Sequence, residues 1–243
     1  GCAGMYSAYF AQSVKGYPAI VAILIGLLVG LVFGVFNGFC IAYLKVPAFV
    51  GTLGSLSIAD SLKFLLTDAK PIPNLSDSFK TIGGGSFGFI PIPCVIMAVV
   101  LIICFTLLYK TRYGRYIYAV GGNRNAAHVS GINTKRIICS VYILTGVLSA
   151  LAGVIMTARV TSGVTSTGDG YETDAIAAVV VGGTSMAGGS GKIGGTIIGG
   201  LIIGVLNNGL NLLNVNSFWQ YVVKGVVILL AVFLDYFRNK GKK

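Results

Sequence analysis

Long runs without charge alternate along the chain with short polar segments. A helix rises about 1.5 Å per residue and must cross about 30 Å of hydrocarbon, so a run of roughly 20 apolar residues can span a bilayer. The runs of that length are Pro18–Leu44, Pro47–Leu66, Pro91–Tyr109, Ile137–Ala158, Ile193–Leu213 and Phe218–Phe237. Gly1–Ala11 has the composition of a further, incomplete span. The pattern predicts an all-α, polytopic transmembrane helical bundle.

One apolar segment is too short for this pattern. Ala175–Gly191 has seventeen residues, begins as a helix and then contains five glycines. Irregular backbone at membrane depth is tolerated only where protein or water surrounds it. We therefore expect a short or broken membrane segment here.

A basic island, Lys110–Arg136, separates two of the apolar runs. It contains six Lys or Arg and no acid. Such a loop is typical of the cytoplasmic side of a membrane protein, and it is far longer than a simple helix connection. Within it, Asn123–Ile132 is predicted to form a short helix capped by Asn123 and closed by Gly131, which suggests a docking surface for a cytoplasmic partner.

The distribution of charge predicts the direction of each span. If Lys45, the basic island, Lys192 and the tail from Arg238 are cytoplasmic, twelve of the eighteen basic residues lie on that side. The opposite loops then receive most of the acids, Asp68, Asp77, Asp169, Glu172 and Asp174. This assignment requires Ala175–Gly191 to cross the membrane and places the C-terminus in the cytoplasm.

Glycine is the most abundant structural signal, with 35 residues. Gly26, Gly30, Gly34 and Gly38 form a row on one helix face, and the pairs Gly195/Gly199 and Gly200/Gly204 have the same spacing. Such rows allow helix backbones to touch. We expect tight packing within the bundle, with a sliding interface as the alternative.

Composition limits the class of protein. Charged residues are 10%, hydrophobic residues 55%, and the mean hydropathy is +0.85, which is outside the range of soluble domains. The net charge of +11 lies mostly in loops beside spans, so it predicts orientation rather than nucleic-acid binding. The five cysteines are scattered and the single histidine is His128. No catalytic residue, cofactor or metal site is predicted, and Gly189, Gly191 and Gly194 match a dinucleotide motif without its context.

Polar residues inside spans are candidate functional positions because they are costly to bury in lipid. Asp60 and Lys63 lie three apart and can neutralise each other. Asn207, Asn208 and Asn211 form a polar patch that could line a path for hydroxylated solutes or join helices by hydrogen bonds. Lys224 is expected to face a neighbour or an aqueous space, or to snorkel.

Three stretches resemble the permease subunit of ribose-type bacterial ABC sugar importers. They are GRYIYAVGGNRNAAHVSGINTKRI, then GYETDAIAAVVVGGTSMAGGSGKIGGTIIGGLIIGVLNNGLNLLNV, and the ending VVKGVVILLAVFLD. The resemblance implies a single permease domain over residues 1–243, without an N-terminal part that family members carry. It also implies three protein partners: a second permease copy, a cytoplasmic ABC ATPase and an extracytoplasmic sugar-binding protein.

Site residues follow from this resemblance by position. The segment that couples the permease to its ATPase matches Gly121, Gly122, Asn123, Ala126, Ala127, Ser130, Gly131 and Ile132. The acidic loops opposite the basic side are expected to meet the binding protein, at Asp68, Asp77, Asp169 and Glu172. The alternatives are a membrane scaffold, a membrane enzyme or an importer of a polyol, and the sequence does not name the solute.

Overall fold

The structure, a computed structural model, describes residues 1–15 and 17–240, except for the side chains of Lys15, Ser217 and residues 234–240. It is divided into two compact units. The first contains Gly1–Tyr113 and Gly131–Asp169, and the second contains Gly114–Ser130 and the part of the chain from Gly170 onward.

The first unit is built around three long helices. Its elements are α1 (Cys2–Phe10), a 3₁₀ turn (Ser13–Lys15), α2 (Ala19–Ala42), α3 (Ala48–Thr67), α4 (Asp77–Gly84), β1 (Ser86–Phe87), β2 (Ile90–Pro91), α5 (Ile92–Phe105), a π turn (Thr106–Lys110) and α8 (Thr134–Val160). The helix α6 (Arg112–Gly122) begins in this unit and continues into the second.

Glycines on α2 let it lie directly against α8. A Cβ on Gly30 would collide with the carbonyl oxygen of Gly146, and one on Gly34 would lie 2.9 Å from the Cα of Ile143. Gly26 and Gly38 meet Val154 and Cys139, so the helices run antiparallel. The predicted packing role of the α2 glycine row is confirmed, and it follows from backbone contact in the absence of a hydrophobic drive between helices.

The loops after α3 and α8 meet at one end of the first unit. Ile72 and Gly163 exchange backbone hydrogen bonds of 2.7 and 2.9 Å. Leu75 and Phe79 are fully buried there, in a core that also contains Met5 and Val154. The polar segment between the apolar runs Pro47–Leu66 and Pro91–Tyr109 is therefore more than a connecting loop, since it contains α4 and the strand β1.

In its described residues, the second unit has five helical segments. They are the rest of α6, then α7 (Arg124–Val129), α9 (Tyr171–Val181), α10 (Ile193–Leu212) and α11 (Ser217–Lys240). Gly195 of α10 lies against the backbone of Gly182, directly after α9, and Gly199 lies against that of Ala178 in α9, as their spacing predicted. Gly200 and Gly204 meet nothing within 4 Å among the described residues, so the packing predicted for that pair is not observed there.

Among the residues that the structure describes, five helices are long and apolar enough to cross a membrane. They are Ala19–Ala42, Ala48–Thr67, Ile92–Lys110, Thr134–Val160 and Ile193–Leu212, and a shorter apolar stretch covers Phe218–Phe233. The predicted all-α, polytopic bundle is confirmed, with the short hairpin β1–β2 as its only named strands among the described residues. Residues 241–243, which include the predicted cytoplasmic Lys242 and Lys243, lie outside the described part.

The helix α9 ends where the sequence predicted a break. It has 11 residues, which at about 1.5 Å each cover only about 16 Å, roughly half of a hydrocarbon core. Gly182–Ser190 follows without regular structure, and Gly183, Gly188 and Gly189 have positive φ. The short helix followed by irregular backbone is as expected, whereas the crossing itself stays a prediction.

Candidate functional site

The basic island forms two helices joined by a tight cap. α6 ends at Gly122, and α7 begins at Arg124 after Asn123, whose side chain accepts a 3.0 Å hydrogen bond from the Ala126 amide. The chain leaves α7 through Gly131 at φ +82. Both signals predicted from the sequence, the Asn cap and the terminal glycine, are present. The helix α6 was not predicted from the sequence, because its three glycines and its charges concealed a helical pattern.

The side chains of α7 divide between the protein and the surface. Ala127 is only 4% exposed, so it packs within the chain. The other residues carried over from the family pattern are exposed or, at Ile132, half-buried. Val129 was not singled out from the sequence, yet it is 88% exposed on this short helix. An apolar side chain held out from a polar loop, next to exposed Ala126 and Ser130, forms a small surface on which another protein could pack.

The end of α6 touches the irregular segment after α9 through backbone atoms. A Cβ on Gly121 would lie 2.9 Å from the Gly189 nitrogen, and one on Gly189 would lie 2.6 Å from the Gly122 Cα. Tyr118 adds a hydrogen bond of 2.8 Å from its hydroxyl to the Gly191 carbonyl. The glycines of the candidate coupling segment therefore serve close contact, and residues 182–191 form the surface they contact. We call Gly121, Gly122, Gly188 and Gly189 the glycine contact.

Three polar side chains join α9, α10 and α11. Lys224 of α11 lies 2.9 Å from Asp174 of α9, and these two side chains are 16% and 15% exposed. Asn207 of α10 donates a 3.2 Å hydrogen bond to the same carboxylate. Lys224 was expected to face a neighbour or an aqueous space, or to snorkel, and it faces a neighbour, Asp174. Because a lone buried charge is costly, the pairing explains why both residues are tolerated among apolar helices. We call these residues the α9–α11 polar cluster.

The other two asparagines of the predicted patch lie close by. Asn211 accepts a 2.9 Å hydrogen bond from the Gln220 side chain, and Asn208 is exposed. Asn207 and Asn211 therefore form hydrogen bonds between helices, which was one of the two roles considered for the patch. Sequence spacing could not identify Asp174 and Gln220 as their partners, because both come from other helices.

A second charged group lies in the first unit. Lys63 of α3 is 2% exposed and lies 2.9 Å from Asp60, as the spacing indicated. It also donates a 2.8 Å hydrogen bond to Asp169 in the segment after α8. Asp169, which was expected to contact a binding protein, forms an ion pair with Lys63 inside the unit. Its side chain is nevertheless 56% exposed.

The remaining acids predicted to meet a binding protein are available at the surface. Asp68 and Glu172 are exposed, and Asp77 is 98% exposed beside Lys80, at 3.0 Å. Asp77 lies in the first turn of α4, and Glu172 in that of α9. Within the residues that the structure describes, no three His, Cys, Asp or Glu side chains come together in a way that could hold a metal ion.

Comparison with known proteins identifies relatives over most of the chain. Residues 2–232 match the family described as "Branched-chain amino acid transport system / permease component". The chain is 49% identical to a ribose import permease of Bacillus subtilis over 224 residues, which is 91% of this chain and 70% of that protein. It is 39% identical to an L-arabinose transport system permease of Escherichia coli, over 85% of this chain and 63% of that protein. It is 38% identical to a galactose/methyl galactoside import permease of Haemophilus influenzae, over 100% of this chain and 77% of that protein. No solved structure matches the chain.

Proposed function

Because the chain belongs to the family of bacterial import permeases matched over residues 2–232, we propose that the solute it carries is a monosaccharide. It is a multi-pass membrane protein and a transport subunit rather than an enzyme. The observation that supports a sugar is that relatives named for ribose, L-arabinose and galactose all match at 38–49% identity. Of these three relatives, the ribose permease has the highest identity to the chain.

The energy for transport comes from a partner, and we propose α7 as the part of this chain that meets it. Permeases of this kind work with an ATPase and a solute-binding protein. The exposed face of α7, with Ala126, Val129 and Ser130, has small and apolar side chains that a groove of the ATPase can accept. A second permease copy completes the transporter in this proposal, and the C-terminus lies in the cytoplasm.

Movement of α7 can reach the membrane part through backbone contacts. The glycine contact joins the end of α6 to the segment that follows α9. α9 in turn holds α10 and α11 through Asp174. We propose that the C-terminal part of α10, which contacts Asp174 through Asn207, borders the path of the sugar. Asn207, Asn208 and Asn211 lie there, and Asn208 offers an exposed amide.

The outer side of the proposed transporter meets the binding protein. The exposed acids Asp68, Asp77 and Glu172 support this role, because charged loops opposite the basic side can steer a soluble partner. Asp169 pairs with Lys63, and the exposed part of its side chain can also contact the binding protein.

A charge placed on α7 tests the ATPase assignment. Val129→Glu should insert into the membrane but fail to retain the ATPase on co-purification, since a carboxylate pressed into an apolar contact costs several kcal/mol, and sugar uptake should fall with it. Val129→Thr has nearly the same shape without the charge and is the matched control. Ala127→Glu is unsuitable, because Ala127 is buried in the chain itself. Retention of both ATPase and uptake by Val129→Glu would refute the assignment.

A further inference from the structure

The connection between α4 and α5 is a hairpin with an aromatic tip. Ser86 pairs with Pro91 and Phe87 with Ile90, leaving Gly88 and Phe89 as the turn. Gly88 has φ +66, as required at the first position of such a turn. Phe87 is 83% and Phe89 105% exposed, so neither ring packs on the described chain.

The base of this hairpin is held firmly. The Ile92 amide donates a 2.9 Å hydrogen bond to the Gly85 carbonyl. On α4, Phe79 is fully buried, and a Cβ at Gly83 would overlap the backbone of Ala158 and Arg159. The rings are thus presented by a fixed support, although turn tips usually carry small polar residues.

The surroundings of the tip indicate its partner. The hairpin runs directly into α5, where none of the residues is buried and whose extension to Lys110 is a candidate membrane span. No charged residue occurs from Thr81 to Tyr109. Phe is among the side chains that enter the boundary between headgroups and acyl chains, whereas a surface for a soluble protein would be expected to carry polar groups at its rim.

We propose that the hairpin tip, Phe87 and Phe89, inserts into the lipid bilayer beside the start of α5. The two rings lie at the boundary between headgroups and acyl chains, at a depth of about 5–10 Å. The insertion holds α4, and with it Asp77, at a set height above the membrane.

Tryptophan fluorescence tests the insertion in the full-length protein reconstituted in phosphatidylcholine vesicles. Phe89→Trp is made in a chain whose single tryptophan, Trp219, is replaced by Phe. Phe87→Trp in the same background is a second probe. Two reference variants are Ile102→Trp, on the exposed face of α5, and Ser78→Trp, on the exposed face of α4.

The expected result is emission at shorter wavelength than Ser78→Trp, loss of intensity in brominated phosphatidylcholine as for Ile102→Trp, and little quenching by aqueous acrylamide. Quenching by acrylamide at the level of Ser78→Trp would overturn the proposal, because the tip would then lie in water. Protection from both quenchers would also overturn it, because the tip would then be covered by protein, either a second copy or another subunit.

Discussion

Lys224 and Lys63 show how single charges are accommodated among apolar helices. Lys224 meets Asp174 from another helix, and Lys63 lies between Asp60 and Asp169. In both groups a carboxylate from outside the lysine's own helix completes the pairing. Each lysine therefore joins two separate parts of the chain within its unit, which a side chain that snorkels to the surface would not do.

The Asp174–Lys224 pair predicts a strongly non-additive set of variants. Asp174→Asn and Lys224→Met should each lower the melting temperature of the detergent-solubilised protein, because each leaves the other charge nearly buried without its counter-charge. We expect a loss of about 1.5–3 kcal/mol for each. The double variant should recover much of this loss, since it removes both charges together.

A thermal-denaturation cycle over the four proteins measures that coupling. Lys80→Met is the control, because Lys80 pairs with Asp77, which is 98% exposed, and exposed pairs contribute little. If the effects of the two single variants simply add in the double variant, the pair does not join α9 to α11.

The spacing of residues revealed some of these partners and not others. Asp60 and Lys63 are neighbours on one helix, so their three-residue separation was enough. Asp169 and Asp174 come from distant parts of the chain, and nothing in a periodic pattern specifies which carboxylate a lysine will meet. The same limit hid the burial of Ala127, because that depends on how a six-residue helix is turned against its unit.

At the level of helices, glycine spacing predicted contacts only when a partner helix was present. Gly30 and Gly34 lie against α8, and Gly199 against α9, whereas Gly204 meets nothing among the described residues. The spacing makes a helix face flat enough for close packing. Whether another backbone lies on that face depends on the fold.

Gly30 and Gly204 therefore form a matched pair for substitution by alanine. Gly30→Ala should destabilise the protein by about 1–3 kcal/mol, because the methyl group collides with Gly146 and Ala150 and the helices must separate. Gly204→Ala should be neutral or slightly stabilising, since alanine is the better helix former. Melting temperatures in detergent compare the two directly. Equal effects would mean that the α2–α8 contact contributes nothing to stability.

At the level of the whole chain, the apolar pattern specified the helices better than the connections between them. The five candidate spans fall within a few residues of the predicted runs, because a membrane requires a fixed length of apolar helix. The connections are not constrained in this way. Residues 67–90 and 110–136 therefore contained α4, the hairpin and α6, none of which the pattern predicted.

Labelling of introduced cysteines tests the orientation that the charges predict. Ser78→Cys, on the exposed surface of α4, should react with a membrane-impermeant maleimide in intact cells. Ser130→Cys, at the end of α7, should react only after the membrane is permeabilised. Both are made in a chain without its native cysteines, because Cys94 is exposed. The reverse pattern of labelling would invert the assigned topology and place α7 away from any cytoplasmic ATPase.

The glycine contact has a mechanical consequence. Where two segments touch through long side chains, a rotamer change can absorb a small displacement before the backbone moves. Gly121, Gly122, Gly188 and Gly189 have no such torsions, and their main chains already touch. A displacement at the end of α6 therefore acts directly on the backbone of the turn after α9, with no side-chain rotamer change between them. Because no side chain separates the two segments, even a single added methyl group would change the distance between them.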